Sequence, residues 1–179
     1  MAPKKDDRPM VLISASRERR SARRLASRYR RVVELRAYAT EPGAGERLVF
    51  GEITIDVRVP SESTGGAFVI IEEAEPMVDT PAHMHEHEDE LFYVLEGEHV
   101  YEVGDEQFRV GPGGLVFAPR GVPHSQRRVV SGVGRQLVLL SPGGFEGFFR
   151  DLAAAHEKGT LGPEAYAAAS KRYGITWVS

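Results

Sequence analysis

Residues 81–97 read P-A-H-M-H-E-H-E-D-E-L-F-Y-V-L-E-G, three histidines and a run of carboxylates closed by a β-type apolar stretch. Imidazole nitrogen and carboxylate oxygen are the donors that borderline divalent metals take. His83 and His85 stand two apart, so on an extended strand both point the same way and one cation reaches both. Glu90 follows His85 by five positions and would face oppositely on a continuous strand. The strand must therefore break, and E-H-E-D is polar enough to form the loop. L-F-Y-V-L then starts a second strand that stops at Glu96-Gly97. The carboxylate at the head of that strand can turn back toward the imidazoles. His87 shares the parity of His83 and His85, so face geometry alone leaves a His85/His87 pair open.

The rest of the chain supplies short strands to hold such a site. Arg47–Phe50, Ile53–Val59 and Ala67–Glu72 are rich in Val, Ile and Phe and are divided by Pro/Gly/Ser clusters, the texture of an all-β sandwich or barrel. In I-T-I-D-V-R-V the apolar residues alternate, predicting one buried face. His99–Val103 and Gln107–Val110 flank Gly104-Asp105 as a hairpin. Leu115–Ala118 reads as a buried strand, 119–123 as a turn, Ser125–Val130 as a strand leading away, and Arg135–Leu140 as the strand that closes the sheet. Phe145, Phe148, Phe149 and Leu152 then fall at i, i+3, i+4 and i+7, a helical stripe that needs a surface to cover. Pro163 suits a first helical turn, Tyr166, Ala169 and Tyr173 share a face, Gly174 sits at a C-cap, and I-T-W-V is expected to pack back onto the body.

Composition narrows the chemistry. The chain has 179 residues, enough for one domain with a real core. It has no cysteine, which excludes disulfides and thiolate ligands. No run of apolar residues approaches the roughly 18 that a spanning helix needs, and the N-terminus lacks a signal-like apolar region, so a cytoplasmic location without membrane attachment is expected. Residues 1–36 hold twelve Lys or Arg against four Asp or Glu, so +8 sits there and −11 in the remainder of a chain with net charge −3. Ser16 to Arg36 is predicted to be an amphipathic basic helix behind a polar leader. It is read as a solvated helix against an acidic surface of this or a neighbouring subunit, and not as a nucleic-acid arm, since no aromatic interleaving supports the latter.

His83, His85, Glu90 and Gly97 reproduce the spacing of the first cupin motif, and Gly113-G-L-V-F-A-P-R-G-V-P-His124 resembles the second, in which a histidine follows a Pro-x-Gly turn. The resemblance implies an all-β cupin jelly roll, a double-stranded β-helix barrel with C-terminal helices and the N-terminal basic arm. Its divisions are an arm over 1–40, a barrel over 41–142 and helices over 143–179. The tail P-G-G-F-E-x-F-F with a later Y-G-I resembles that of small quercetinase-like cupins, and the likeness covers approximately residues 47–179.

That likeness implies His83, His85, Glu90 and His124 as ligands of one divalent transition metal ion (Fe, Mn, Ni, Co, Cu or Zn), with positions left open for catalysis. The family spacing places His87 on the loop. Glu90 is the expected catalytic group, and Phe92, Val94, Gln126 and Arg128 are the expected substrate contacts. Arg128 stands where the plant-type motif ends in asparagine; it is in phase with His124 and Gln126, and either holds a substrate anion or lies at a strand end in solvent. Tyr93 is expected to face into packing, and His99 and His156 to be satisfied or exposed. The implied activity is dioxygenation of an enol or flavonol-type small molecule. The rivals are non-oxidative isomerase, cyclase or decarboxylase chemistry, and non-enzymatic ligand binding. A homodimer is expected by the same analogy.

Overall fold

Alternation of apolar and polar residues over Ile53–Val59 makes a strand that buries Ile55 and Val57 and wets the residues between. This is β2, preceded by β1 (Glu46–Phe50) in an antiparallel hairpin that pairs Phe50 with Ile53. The computed structural model describes residue 35 and residues 37–74, 79–128 and 134–178, with the side chain of Arg128 left aside. The basic helix expected over Ser16–Arg36 therefore lies, Leu35 apart, outside the described residues.

The remaining strands are β3 (Val69–Ala74), β4 (Thr80–His85), β5 (Asp89–Glu96), β6 (His99–Val103), β7 (Glu106–Val110), β8 (Leu115–Ala118), β9 (His124–Arg128), β10 (Arg135–Ser141) and β11 (Ile175–Trp177). Two helices, α1 (Glu146–Glu157) and α2 (Pro163–Tyr173), separate β10 from β11. The strands form two antiparallel sheets, ordered β1-β2-β3-β10-β5-β8 and β11-β4-β9-β6-β7. From β3 to β10 the chain changes sheet at every connection except the β6–β7 hairpin, which turns at Gly104-Asp105 as expected. Both sheets turn alternate residues inward, and Ile71, Phe92, Val94, Tyr101, Val138 and Leu140 make one core.

Arg135–Leu140 closes the sheet from within: β10 lies between β3 and β5, pairing Gln136 with Glu73 on one side and Val94 on the other. Other local expectations are corrected. Leu115–Ala118 is an edge strand with one wet face, because Val116 and Ala118 are buried while Leu115 and Phe117 are 54% and 52% exposed. Tyr93, directly across from Leu115, also faces outward and not into packing.

The C-terminal segment docks as the Phe stripe predicts. Phe148 and Leu152 are buried on α1, and the Phe149 ring stacks on Phe50 at 5.9 Å. Glu146, 1% exposed, anchors the helix start: Oε1 accepts from the Ser61 amide (2.8 Å) and hydroxyl (2.5 Å), and Oε2 accepts from the Gly144 amide (3.0 Å). Burial alone would raise its pKa, but these donors hold the carboxyl below the usual range. Gly174, at φ +67°, takes the left-handed cap conformation that only glycine adopts without strain. The chain then turns into β11, which adds to the edge of β4 with Ile175 opposite His85 and Trp177 opposite His83.

Candidate metal centre

The first motif works because β4 and β5 belong to different sheets. His83 and His85 point inward from β4, and the short loop after His85 carries the chain across to β5, so Glu90 faces the imidazoles from the opposite wall. β9 lies beside β4 with His124 paired directly to His83. The turn before His124 is tied to the first motif by the Gly121 amide, which donates to the His85 carbonyl at 2.8 Å. Gly121 has φ +74°, so the Pro-x-Gly turn depends on glycine's freedom there.

All four side chains are buried, with one ligand atom from each lying within 4.8 Å of the others. Ring centroids are 4.5 Å apart for His83–His124 and 5.1 Å for His83–His85. Nδ1 of His83 lies 2.9 Å from the Pro81 carbonyl, and Nδ1 of His124 lies 3.0 Å from that of Val122. Each ring is thus held by the carbonyl two residues earlier, which sets Nδ1 as the protonated nitrogen and leaves Nε2 for the centre.

The donor set fits a cation. His124 Nε2 is 2.8 Å from Glu90 Oε2, and His85 Nε2 is 3.2 Å from the same oxygen. With Nδ1 of His124 already donating, a neutral ring meets that carboxylate lone pair to lone pair. A second proton or a metal ion between them removes the conflict. His85 Nδ1 faces Glu88 Oε2 at 3.6 Å, and both atoms, with His85 Nε2, are buried without hydrogen-bond partners among the described residues. One divalent ion with bonds of about 2.1 Å would need donor atoms gathered within a few ångströms of one another, as these four are.

Electrostatics without an ion tell the same story. Burial drives His83 down to about 4 against the pull of Glu90. Burial also opposes charge on His85, but Glu88 and Glu90 prevail and raise it to about 9. Glu90 would be raised by burial, yet the His124 and His85 imidazoles beside it hold it well below the usual carboxylate range. The site thus keeps the carboxylate ionised, as a metal requires, and an ion would take the place of the proton that His85 otherwise holds.

A cavity of about 420 Å³ opens onto the centre, in the range of small-molecule sites. Its wall includes the aromatic rings of Phe50, Phe145, Phe148, Phe149, Tyr166 and Trp177. Of the residues expected to contact substrate, Phe92 and Gln126 line it. Val94 does not: two residues deeper on β5, it is fully buried in the core opposite Gln136. The side chain of Arg128 lies outside what is described. His87 is exposed on the loop. His99 is buried with Nε2 donating to the Glu96 carbonyl at 3.2 Å, and His156 Nδ1 accepts from the Gly51 amide at 3.4 Å.

Two wall residues carry no local signal in the sequence. Trp177 reaches the cavity through the pairing of β11 with β4, and its ring lies 5.4 Å from that of His83. Glu73 reaches it from β3. A composition rule finds neither, since both depend on strands paired far along the chain.

Comparison with known proteins agrees with this geometry. Residues 70–135 match the cupin domain family model. Over 121 residues the chain is 31% identical to quercetin 2,3-dioxygenase of Bacillus subtilis (strain 168), covering 67% of this chain but 36% of that protein, so the chain spans about a third of that relative's length. The polyketide cyclase RemF from Streptomyces resistomycificus shares 28% identity at a TM-score of 0.50, over 59% of this chain and 80% of that one. The cupin domain of Cnp3 from Schizosaccharomyces pombe shares the fold at a TM-score of 0.51 and 17% identity, over 64% of this chain and 81% of that one. With both motifs folded onto one buried cluster between two antiparallel sheets, the chain belongs to the cupin superfamily and is quercetinase-like in sequence.

Proposed function

We propose that the protein is a metal-dependent enzyme of quercetinase-like type, a dioxygenase acting on an enol or flavonol-class small molecule. The observation that carries this reading is the convergence of His83, His85, Glu90 and His124 at the end of a cavity walled by aromatic rings. These four side chains would hold one divalent transition metal ion, which when bound supplies Lewis acidity and access to dioxygen chemistry. Phe145, Phe148 and Trp177 give the cavity apolar ring surface for a flat ligand to pack on and keep water from the reacting end. Glu90 is the group placed to take the enol proton. The imidazoles that keep it ionised also weaken it as a base, so proton transfer requires release of its contact with His124.

The sequence likeness to the quercetin dioxygenase supports this choice, and elemental analysis followed by oxygen-electrode assays on flavonols and acidic diketones tests it. Oxygen uptake matched to substrate loss is expected. Equal conversion with oxygen excluded would overturn the dioxygenase and favour the second reading, a non-oxidative cyclase or isomerase using the same site, which the likeness to the polyketide cyclase supports. Among the described residues no helix is long and apolar enough to cross a membrane. A homodimer is the assembly we propose, with exposed Tyr93, Leu115 and Phe117 at the β5–β8 edge as the apolar face available for it.

A further inference from the structure

The cavity has a second polar end. Glu73, on β3, is paired across the sheet with Gln136 on β10, and its Oε2 accepts from Gln136 Nε2 at 2.6 Å and from Gln126 Nε2 at 3.0 Å. Gln136 Nε2 also donates to Gln126 Oε1 at 2.6 Å, Gln126 Nε2 also donates to Thr80 Oγ1 at 3.3 Å, and the Tyr101 hydroxyl donates to Gln136 Oε1 at 2.5 Å. Each amide nitrogen has two hydrogens, so all four are assigned, two of them to one oxygen of Glu73. Among the described residues no hydrogen bond reaches the other oxygen, on a residue that lines the cavity.

A network that only stitched the sheets together would be served by an amide at position 73, with no charge to desolvate. A carboxyl group held through one oxygen by two amides, on a residue that lines a ligand cavity, keeps its other oxygen to receive a hydrogen-bond donor. Gln126 follows His124 by two residues on β9, so the two polar ends stand about 7 Å apart, within the span of a fused ring system. No Lys or Arg is among the described lining residues, while Glu73, Asp79 and Glu90 are.

We propose that Glu73, oriented by Gln126 and Gln136, is a second ligand-binding group that accepts the O–H of a hydroxyl remote from the histidines. It thereby selects hydroxylated aromatics over their methylated or carboxylated counterparts. This deepens the function proposed above and rests on it for an aromatic ligand, but it requires no turnover.

The test reads binding through Trp177, the chain's single tryptophan and a cavity residue. Full-length protein under nitrogen is titrated with 3-hydroxyflavone and with its 7- and 4′-substituted hydroxy, methoxy and carboxylate derivatives, following quenching of Trp177 fluorescence. In at least one series the hydroxy compound should bind about tenfold or more tighter than the unsubstituted and methoxy compounds, and the carboxylates more weakly. Glu73→Gln should reduce the hydroxy preference to within about twofold, the amide presenting a donor where the ligand needs an acceptor. Should that variant not fold, Glu73→Asp, which withdraws the carboxyl from the cavity, should reduce it likewise.

Equal affinities across the panel, a preference that survives in the variant, or no quenching by any probe would overturn the proposal. Tightest binding by a carboxylate would also overturn it, in favour of Arg128 as an anion contact. Absence of oxygen uptake leaves these affinities unchanged, so failure of the dioxygenase reading is told apart from failure of this one.

Discussion

Glu90→Gln preserves the shape of the side chain and removes the charge that three imidazoles surround. Metal-stripped protein is titrated with Mn, Co, Ni and Zn salts while unfolding is followed by scanning calorimetry. An ion bound only by the folded state, present at a hundredfold excess over its Kd, adds about 2.7 kcal/mol. Loss of a partner outside the ligand shell weakens metal binding about 10–100-fold, and loss of a charged ligand should do at least the upper figure. A hundredfold rise in Kd leaves about 0.4 kcal/mol at the same metal concentration. At about 2–4 °C per kcal/mol for a chain of this size, the wild type should gain about 5–11 °C and the variant about 1–2 °C. A variant that gains as much as the wild type would refute the reasoning, because the ion would then be held elsewhere.

The metal-free protein offers a second readout of the same substitution. Folded His85 binds its proton up to about 9 against 6.5 for a free imidazole, with burial opposing the charge and Glu88 and Glu90 sustaining it. Its contribution to stability is therefore full below about 6.5 and lost as pH rises through about 9. Without Glu90 the folded pKa falls and that window narrows, which histidine proton resonances report directly.

Two further predictions follow from the packing. Burial raises the folded pKa of Glu73 against the hydrogen bonds of Gln136 and Gln126. Its stabilisation is thus present at low pH and lost as pH rises through the raised value, so the Tm of Glu73→Gln relative to the wild type should climb as pH is raised above the ordinary glutamate range. A difference independent of pH would contradict it. Gly147 on α1 leaves room for Tyr173 of α2, and a Cβ there would lie 2.7 Å from two atoms of that ring. Gly147→Ala should cost about 1–3 kcal/mol in urea denaturation, and much less in a Tyr173→Ala background; equal costs in both backgrounds would show that the ring is not the obstacle.

Local sequence decides the structure where one backbone period governs the outcome. His83 and His85 share a face because a strand repeats every two residues, and the Gly104-Asp105 hairpin and the Pro163 to Gly174 helix carry their own start and stop signals. The cupin spacing likewise marked the four residues that the fold brings together. Depth along a strand was harder: Phe92 and Val94 have the same parity, yet Phe92 lines the cavity and Val94 lies in the sealed core. Outward exposure of Tyr93 and Leu115 was not visible either, since an apolar residue on an edge strand looks the same in sequence as one in a core. Only the tertiary structure set β4 and β5 in opposite sheets, brought Trp177 beside His83, and gave Glu73 its two amides. Those placements are sums of many weak contacts between strands distant in the chain, and no short stretch of sequence encodes such a sum.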